Sequence, residues 1–336
     1  MPNHNISPQW VGEVNKVGWG TLPTGDDSSI GTDLIAWKKF QHLLNKSVLA
    51  GKLYDTDIVS TYSLVYTVDF AYTGGVLAPN GDIHFVPSSS ALNRGQKISA
   101  SGVVSTYSLV YVTAGAYVGG VLAPNGDIHF VPRNANRGQK INASGVVSTY
   151  SLVYTTTEAY SGGVLAPNGD IHFVPFYANV GQKIDVTTGL PSTYSLAYTA
   201  SAAYFGGVIS PNGDIHFIPL FANRGQKIDV ATGLPSTYSL VYTTTNAYNG
   251  GVLAPNGDIH FVPRGADRGQ KISAAGVVST YSLVYTAAVA YNGGVLAPNG
   301  DIHFVPRSAD RGQKISTMPA IPFDASIARS PWINKL

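Results

Sequence analysis

The sequence contains no cysteine and little charge of either sign. The lack of cysteine excludes disulfides and thiolate metal sites, so packing and strand pairing must stabilise the fold. Lysine and arginine number 21 against 19 acidic residues, a net charge of +2. This balance provides no clustered basic field for nucleic acid or an anionic membrane. No run of 18 apolar residues occurs, so we expect neither a nucleic-acid partner nor membrane insertion.

Repetition is the dominant feature of what the sequence does contain. The stretch Gly-Gly-Val-Leu-Ala-Pro-Asn-Gly-Asp-Ile-His-Phe-Val-Pro occupies residues 74–87 and recurs five more times, almost unchanged. A second segment, Ser-Thr-Tyr-Ser-Leu, alternates with it and returns every 43 to 45 residues from Ser60 onward. Repeats of this length are typical of four-stranded propeller blades. The sequence therefore predicts an all-β domain over residues 58–316.

Each repeat contains four short strand signals. In the first repeat the predicted strands are 74–79, 82–87, 95–98 and 106–111. The Asn80-Gly81 pair between the first two predicts a type I′ hairpin. Both faces of these strands carry apolar side chains, as expected when each sheet is covered by two others.

The two ends of the repeat array complement each other. Segment 60–64 precedes the first Gly-Gly unit, whereas segment 312–315 is followed by no such strand. The N-terminal segment would then supply the fourth strand of the last blade. This arrangement predicts a six-bladed β-propeller, closed without exposed sheet edges.

Two extensions flank the predicted propeller, at residues 1–57 and 317–336. The first contains a candidate helix over about 33–46, with Trp37 and Phe40 on its apolar side. This helix either packs against the propeller wall or docks another subunit. The second extension has apolar anchors, including Phe323 and Trp332, that lie in a groove of the same domain or on a neighbour.

Variation among the repeats is concentrated in two sets of loops. One set links the outer strand to the next inner strand, the other joins the second and third strands, and alternating strand direction places both on one face. Binding residues usually lie on loops held by a rigid scaffold, so this face is the candidate for recognition. Its aromatic side chains either form an exposed contact sector or fold down over the blade tops. The candidate recognition residues are Phe70, Arg133, Phe176, Tyr177, Phe205, Leu220, Phe221, Arg264 and Arg307.

Six histidines occupy equivalent positions in the repeats: His84, His129, His172, His216, His260 and His303. They lie on the second strand, too far from a propeller axis to share one metal ion. We expect each to hydrogen-bond to a serine or tyrosine of the Ser-Thr-Tyr-Ser-Leu segment or to the adjacent aspartate. We interpret the repeated aspartates equivalent to Asp82 and lysines equivalent to Lys97 as structural residues too.

An active site would require polar residues that differ between the repeats, and the sequence has few of them. The chain has only two glutamates, Glu13 and Glu158, and Asp69 is the other unusual carboxylate near the variable face. No histidine, arginine cluster, nucleophile elbow or glycine-rich phosphate loop accompanies them. These observations predict a protein without enzymatic activity, cofactor or metal.

The Gly-Gly-Val-Leu-Ala-Pro-Asn-Gly-Asp-Ile-His-Phe-Val-Pro unit resembles tandem propeller repeats of environmental bacterial and viral sequences, including tailed-phage structural proteins. Segment 330–336 also resembles the chain ends of phage-type propeller proteins. The resemblance implies a structural or adhesive virion module, joined to other structural subunits by its extensions. A carbohydrate-binding, lectin-like propeller is the alternative, cytoplasmic or released without a signal peptide, with cell-surface glycan as its partner. A propeller hydrolase or lactonase is a third interpretation.

Overall fold

The computed structural model describes residues 61–89 and 93–317. Every regular element in these two ranges is a β-strand, and the strands form six antiparallel sheets in sequential order. The predicted all-β, tandem propeller-like architecture is therefore confirmed. The chain divides into two units, 1–63 and 64–336, and all six sheets belong to the second. The candidate helix at 33–46 and Trp37, Phe40, Phe323 and Trp332 lie outside the described residues.

The first five sheets contain four strands each, and the sixth contains three. Sheet 1 comprises β1 (Tyr72–Leu77), β2 (Ile83–Pro87), β3 (Arg94–Ile98) and β4 (Val104–Ser108), and sheet 2 comprises β5 (Tyr117–Leu122), β6 (Ile128–Pro132), β7 (Arg137–Ile141) and β8 (Val147–Ser151). Sheet 3 comprises β9 (Tyr160–Leu165), β10 (Ile171–Pro175), β11 (Val180–Asp185) and β12 (Leu190–Ser195), and sheet 4 comprises β13 (Tyr204–Ile209), β14 (Ile215–Pro219), β15 (Arg224–Ile228) and β16 (Pro235–Ser239). Sheet 5 comprises β17 (Tyr248–Leu253), β18 (Ile259–Pro263), β19 (Arg268–Ile272) and β20 (Val278–Ser282), and sheet 6 comprises β21 (Tyr291–Leu296), β22 (Asp301–Pro306) and β23 (Gln313–Ser316). No helix in the described part is long and apolar enough to cross a membrane.

The hairpin between β1 and β2 is confirmed, but its predicted turn type is wrong. Gly81 has a φ of 85°, whereas Asn80 is not in the left-handed region. The N–H of Ala78 donates to the Asp82 carbonyl at 2.8 Å, and the N–H of Gly81 donates to the Ala78 carbonyl at 2.9 Å. Pro79 explains the difference, because a type I′ turn centred on Asn80-Gly81 would need an N–H at position 79 to donate to the Asp82 carbonyl, and proline has none. The result is a type I turn followed by a glycine bulge.

The outer strand of the first repeat also differs from its predicted bounds. β4 ends at Ser108, whereas the sequence predicted a strand over 106–111. The chain leaves the sheet edge there because Val110 and Tyr111 donate their N–H groups to Gln139 Oε1 of the next sheet, at 3.0 and 2.9 Å. The glutamine of each third strand thus links its sheet, through hydrogen bonds, to the segment that follows the fourth strand of the preceding sheet.

The glycine and tyrosine of the repeat fit together inside each complete sheet. In sheet 3, Gly181 pairs with Tyr194 across β11 and β12, and the tyrosine ring lies over the glycine. A Cβ at Gly181 would overlap the Tyr194 ring. The hydroxyl of Tyr194 then reaches Nδ1 of His172 at 3.2 Å. The predicted structural hydrogen bond of the repeated histidine is confirmed here and recurs in sheets 2, 4 and 5.

The hydrophobic core lies between consecutive sheets. Val164 and Val174 of sheet 3, for example, form one buried cluster with Tyr204, Ile215 and Phe217 of sheet 4. In sheets 2 to 5 all five residues of the second strand are buried. A sheet of this kind is therefore stabilised by two neighbours, as the apolar strand pattern predicted.

The paired glycines of the innermost strands permit this close packing. A Cβ at Gly207 would lie 2.7 Å from Cγ2 of Val164 in the preceding sheet, and one at Gly206 would lie 3.2 Å from Cα of Gly250 in the next. Glycine is therefore required for steric reasons at these positions.

Sheets 1 and 6 lack this packing on one side. Each innermost strand from β5 to β21 packs against that of the preceding sheet, and no comparable packing joins β21 to β1. Leu77 of sheet 1 and Val305 of sheet 6 are consequently 61% and 45% exposed. The structure places residues 61–64 outside any strand, so β23 is the last strand of sheet 6.

Candidate functional site

Clefts open between neighbouring sheets on the face that carries the Asn-Gly turns, here called the hairpin face. One of these clefts has a volume of about 250 Å³ and lies between sheets 4 and 5. Asp214, His216, Lys227 and Tyr238 line it, and the equivalent histidine and lysine line clefts between other sheets. The clefts are therefore lined mainly by side chains that recur in every repeat.

The polar groups of these clefts are already satisfied by one another. Lys227 Nζ lies 2.6 Å from Asp214 Oδ2, and the same ion pair occurs at 2.6–2.7 Å in all six sheets. Burial lowers the pKa of His216 to about 4, and the charge of Lys227 acts in the same direction. The imidazole is therefore neutral at pH 7 and bonded to Tyr238. Among the described residues, no group of three or more His, Asp or Glu side chains is placed to hold a metal ion.

The opposite face, here called the loop face, carries the side chains that differ between repeats. One variable residue follows the last proline of each second strand: Ser88, Arg133, Phe176, Leu220, Arg264 or Arg307. The N–H of each donates to an alanine carbonyl of its own sheet at 2.8–2.9 Å. In the first five sheets its carbonyl also accepts an N–H from the next sheet at 2.6–3.1 Å. The backbone is thus fixed while the side chain is free to vary.

A second variable position on this face has a left-handed backbone in all six repeats. Its residues are Phe70, Gly115, Glu158, Ala202, Asn246 and Val289, with φ between 50° and 60°. A non-glycine residue held in this region costs free energy and persists only where surrounding contacts impose it. The loops of the loop face are therefore built into the scaffold, and their side chains start from defined positions.

Glu158 has both the left-handed backbone and the variable side chain that characterise this face. Its N–H donates to Asn134 Oδ1 at 2.8 Å, and its carboxylate forms an ion pair with Arg133 of the preceding sheet. The two side chains are about one-third exposed, so the pair is reachable from solvent. Arg133 is thus held by a partner that the sequence did not identify, because the two residues come from different loops.

The aromatic candidates combine both arrangements left open by the sequence. Phe176 packs edge-on against Tyr177, with ring centroids 4.8 Å apart, and against Phe205 at 6.3 Å. Leu220 is buried, whereas Tyr177 and Phe221 are 45% and 44% exposed. Sheets 3 and 4 therefore present a partly covered aromatic sector. Phe70 stands apart from it in sheet 1, 91% exposed.

Two arginines occupy the same face of sheets 5 and 6. Arg264 is half-buried and Arg307 is exposed, and Arg307 Nη1 lies 3.5 Å from Asn292 Oδ1. Asn292 Oδ1 also accepts a hydrogen bond from Asn249 Nδ2 at 2.6 Å. Burial and the charge of Arg307 both lower the pKa of Arg264. The sequence pointed to both arginines, but the asparagines were missed because they stand inside otherwise constant inner strands.

With this geometry defined, the fold can be compared with known structures. The chain is similar to virginiamycin B lyase from Staphylococcus aureus, at 21% identity over 78% of this chain and 85% of that chain, with a TM-score of 0.65. It is also similar to a streptogramin B lyase, at 24% identity over 75% and 81% of the two chains, with a TM-score of 0.61. A putative 6-phosphogluconolactonase from Bacteroides uniformis gives 13% identity over 76% and 82%, with a TM-score of 0.56. No protein-family model and no curated protein matches the sequence.

These structures contradict the functional predictions made from the repeats. Identities this low establish the fold alone, but the neighbours of that fold are lyases and lactonase-like propellers, and nothing points to phage structural proteins. The predictions of a virion module and of a protein without enzymatic activity are therefore contradicted, and the lectin-like alternative gains no support. The repeats describe a scaffold, and one scaffold can carry many functions.

Proposed function

We propose that the protein is a propeller enzyme that opens or cleaves a small cyclic substrate on the loop face. The observation that carries the proposal is the location of the unlike residues. The repeats are otherwise nearly identical, yet their differing arginine, glutamate and aromatic side chains collect on this face, on backbone fixed by two sheets. An active site must break the sixfold pattern, and this face breaks it in every sheet, whereas the hairpin face differs mainly in the third-to-fourth loops of sheets 3 and 4.

Glu158 is the group best placed to accept a proton. It is the single carboxylate in the loop-face loops of sheets 2 to 4, and the aromatic sector of Phe176, Tyr177 and Phe205 lies beside it in sheets 3 and 4. Lyase and lactone-opening reactions need proton transfer and a donor for the negative charge that develops on oxygen. Arg133 orients the carboxylate and supplies a positive charge next to it.

The fold's neighbours define the substrates to test first. Purified full-length protein is incubated with quinupristin, the ligand of one virginiamycin B lyase structure, and separately with 6-phosphogluconolactone. Mass spectrometry and proton release report ring opening. Catalytic turnover of either compound supports the proposal, whereas no turnover of either would exclude this reaction class.

A matched pair of variants separates chemistry from folding. Glu158→Gln removes the carboxylate and keeps the shape, so we expect kcat to fall by about 100-fold or more, as for loss of a general base. Asp310→Asn changes an exposed carboxylate that pairs with Arg311 in sheet 6, and kcat should stay unchanged. Equal activities of the two variants would remove Glu158 from the mechanism.

We also propose that segment 60–64 supplies the fourth strand of sheet 6 and closes a six-bladed ring. Sheet 6 retains the features that receive this strand elsewhere. In the other five sheets the glycine equivalent to Gly312 lies under a tyrosine ring, yet no atom of the described residues lies within 4 Å of a Cβ at Gly312. His303 is likewise exposed, whereas its equivalents are buried beside that tyrosine. Tyr62 stands at the matching place in the Ser-Thr-Tyr-Ser-Leu segment.

A further inference from the structure

We propose that Arg264 and Arg307 form a binding site for the carboxylate or phosphate group of a small molecule. The site lies on the loop face of sheets 5 and 6, where Asn249 and Asn292 connect the inner strands beneath the arginines. Its existence does not depend on the proposed activity, because binding can be measured without turnover.

The charges of the two arginines are not compensated within the part of the chain that the structure describes. Three arginines in the two described ranges pair with carboxylates: Arg133 with Glu158, Arg268 with Asp267 and Arg311 with Asp310. Neither Arg264 nor Arg307 has such a partner among the described residues. Burial and the charge of Arg307 both lower the pKa of Arg264, and an anion bound between the two arginines would relieve their repulsion.

Two buried polar atoms at the site also lack a partner. Arg264 Nε is inaccessible to water and donates to nothing in the described structure, and Asn249 Oδ1 accepts nothing. Asn249 as a whole is only 1% exposed. Leaving a buried polar group unsatisfied is costly, so such atoms call for an explanation. Both atoms are covered in this structure, so a ligand would satisfy them once the Arg264 and Asn249 side chains turn toward it.

These two atoms specify the chemistry of the ligand. The Nε and terminal N–H groups of a guanidinium match the two oxygens of a carboxylate or phosphate. Asn249 Oδ1 needs a donor, which a carboxylate lacks, so a carboxylate ligand should carry a hydroxyl or N–H next to its charged group. A hydroxy acid or a sugar phosphate has this combination.

The backbone of the site is already in place before binding. The Arg264 N–H donates to the Ala247 carbonyl at 2.8 Å, and the Arg264 carbonyl accepts the Ala290 N–H of sheet 6 at 2.7 Å. Asn292 receives both Arg307 and Asn249 on one oxygen, at 3.5 and 2.6 Å. The backbone therefore needs little ordering when the anion binds, which favours affinity.

Isothermal titration calorimetry of the full chain tests the site, with chloride adjusted to keep the ionic strength constant. The probes are inorganic phosphate, glycolate and acetate, of which the last two differ by one hydroxyl. We expect saturable binding of phosphate or glycolate, and binding of glycolate that is several-fold tighter than that of acetate. Phosphate and glycolate distinguish the two kinds of charged group.

Three variants complete the test. Arg264→Gln and Arg307→Gln should each weaken binding by about 10-fold or more, the usual effect of losing a charged donor. Arg268→Gln, which removes a paired arginine of the same sheet, should leave the affinity unchanged. Circular dichroism checks folding, and Arg264→Lys keeps the charge should the glutamine variant fail to fold, again with weaker binding expected.

The absence of saturable binding by any probe would overturn the proposal. Equal affinities of wild type and Arg264→Gln, or of wild type and Arg307→Gln, would also overturn it, because the anion would then bind elsewhere. Acetate binding as tightly as glycolate would overturn the assignment of a ligand donor to Asn249.

Discussion

Sheet 3 and sheet 6 have nearly the same sequence and very different surroundings. Val174 of sheet 3 is fully buried, whereas its equivalent Val305 is 45% exposed. His172 is buried against Tyr194, whereas His303 is exposed. The strands, turns and Lys–Asp ion pair are retained in both. The local sequence therefore determines each sheet, and the neighbouring sheets determine how much of it is buried.

The largest expected effect comes from adding one methyl group beneath the tyrosine. Gly181→Ala would force the Tyr194 ring out of its place and break its bond to His172, so the free energy of unfolding should fall by more than about 3 kcal/mol. Urea denaturation measures the loss. Gly312→Ala is the matched variant: if segment 60–64 closes the ring, it should be about as damaging. A neutral Gly312→Ala would contradict closure.

Acid should destabilise the sheets through their buried histidines. The pKa of His172 is lowered by burial to about 4, against about 6.5 in the unfolded chain, so the unfolded state binds more protons between these values. The histidine's contribution is complete above pH 6.5 and is lost as the pH falls towards 4, by up to about 3 kcal/mol. His172→Gln should therefore reduce the acid sensitivity of the midpoint temperature.

The same measurement on sheet 6 sharpens the comparison. With segment 60–64 in place, His303 would have the surroundings of His172, and His303→Gln should then reduce the acid sensitivity too. A variant with the acid profile of the wild type would show that His303 lacks the surroundings of His172 and would contradict closure by segment 60–64.

A smaller effect is expected from the glutamines that fasten successive sheets. Gln182 Oε1 accepts the N–H groups of Val153 and Tyr154 at 2.9 and 2.8 Å, so Gln182→Leu leaves both donors without a partner and should cost about 2 kcal/mol. Gln313→Leu should cost less, because the N–H of Val284 is at an exposed site. Thermal unfolding of the two variants provides the test, and equal losses would contradict this ranking.

The frame of the fold was predictable because its determinants are local and repeated. The hairpins have a physical cause within one repeat, and the Gly-Gly pair and the apolar strands have one in the packing of each repeat on its copies. The turn type was wrong because Pro79 overrides the preference of Asn80-Gly81. The sites on the loop face were predictable only in part, since Arg133 meets Glu158, and Arg307 meets Asn292, through folding rather than through sequence proximity.

Function was the least predictable property for the same reason. The six near-identical copies reveal which residues build the sheets, and those residues are common to propellers of many kinds. At the site of Arg264 and Arg307, sheets 5 and 6 differ from the other repeats by only a few side chains. The unpartnered polar atoms of this site are identified only when the two neighbouring sheets are packed together.

The double backbone anchor of the loop face makes it suited to combinatorial redesign. Because hydrogen bonds from two sheets fix positions such as 176, 220 and 264 independently of the side chain, their residues can be exchanged without rebuilding a loop. A library varying these positions together would present many chemically different surfaces on one unchanged framework. The existing arginine, leucine and phenylalanine side chains are then one sample from that library.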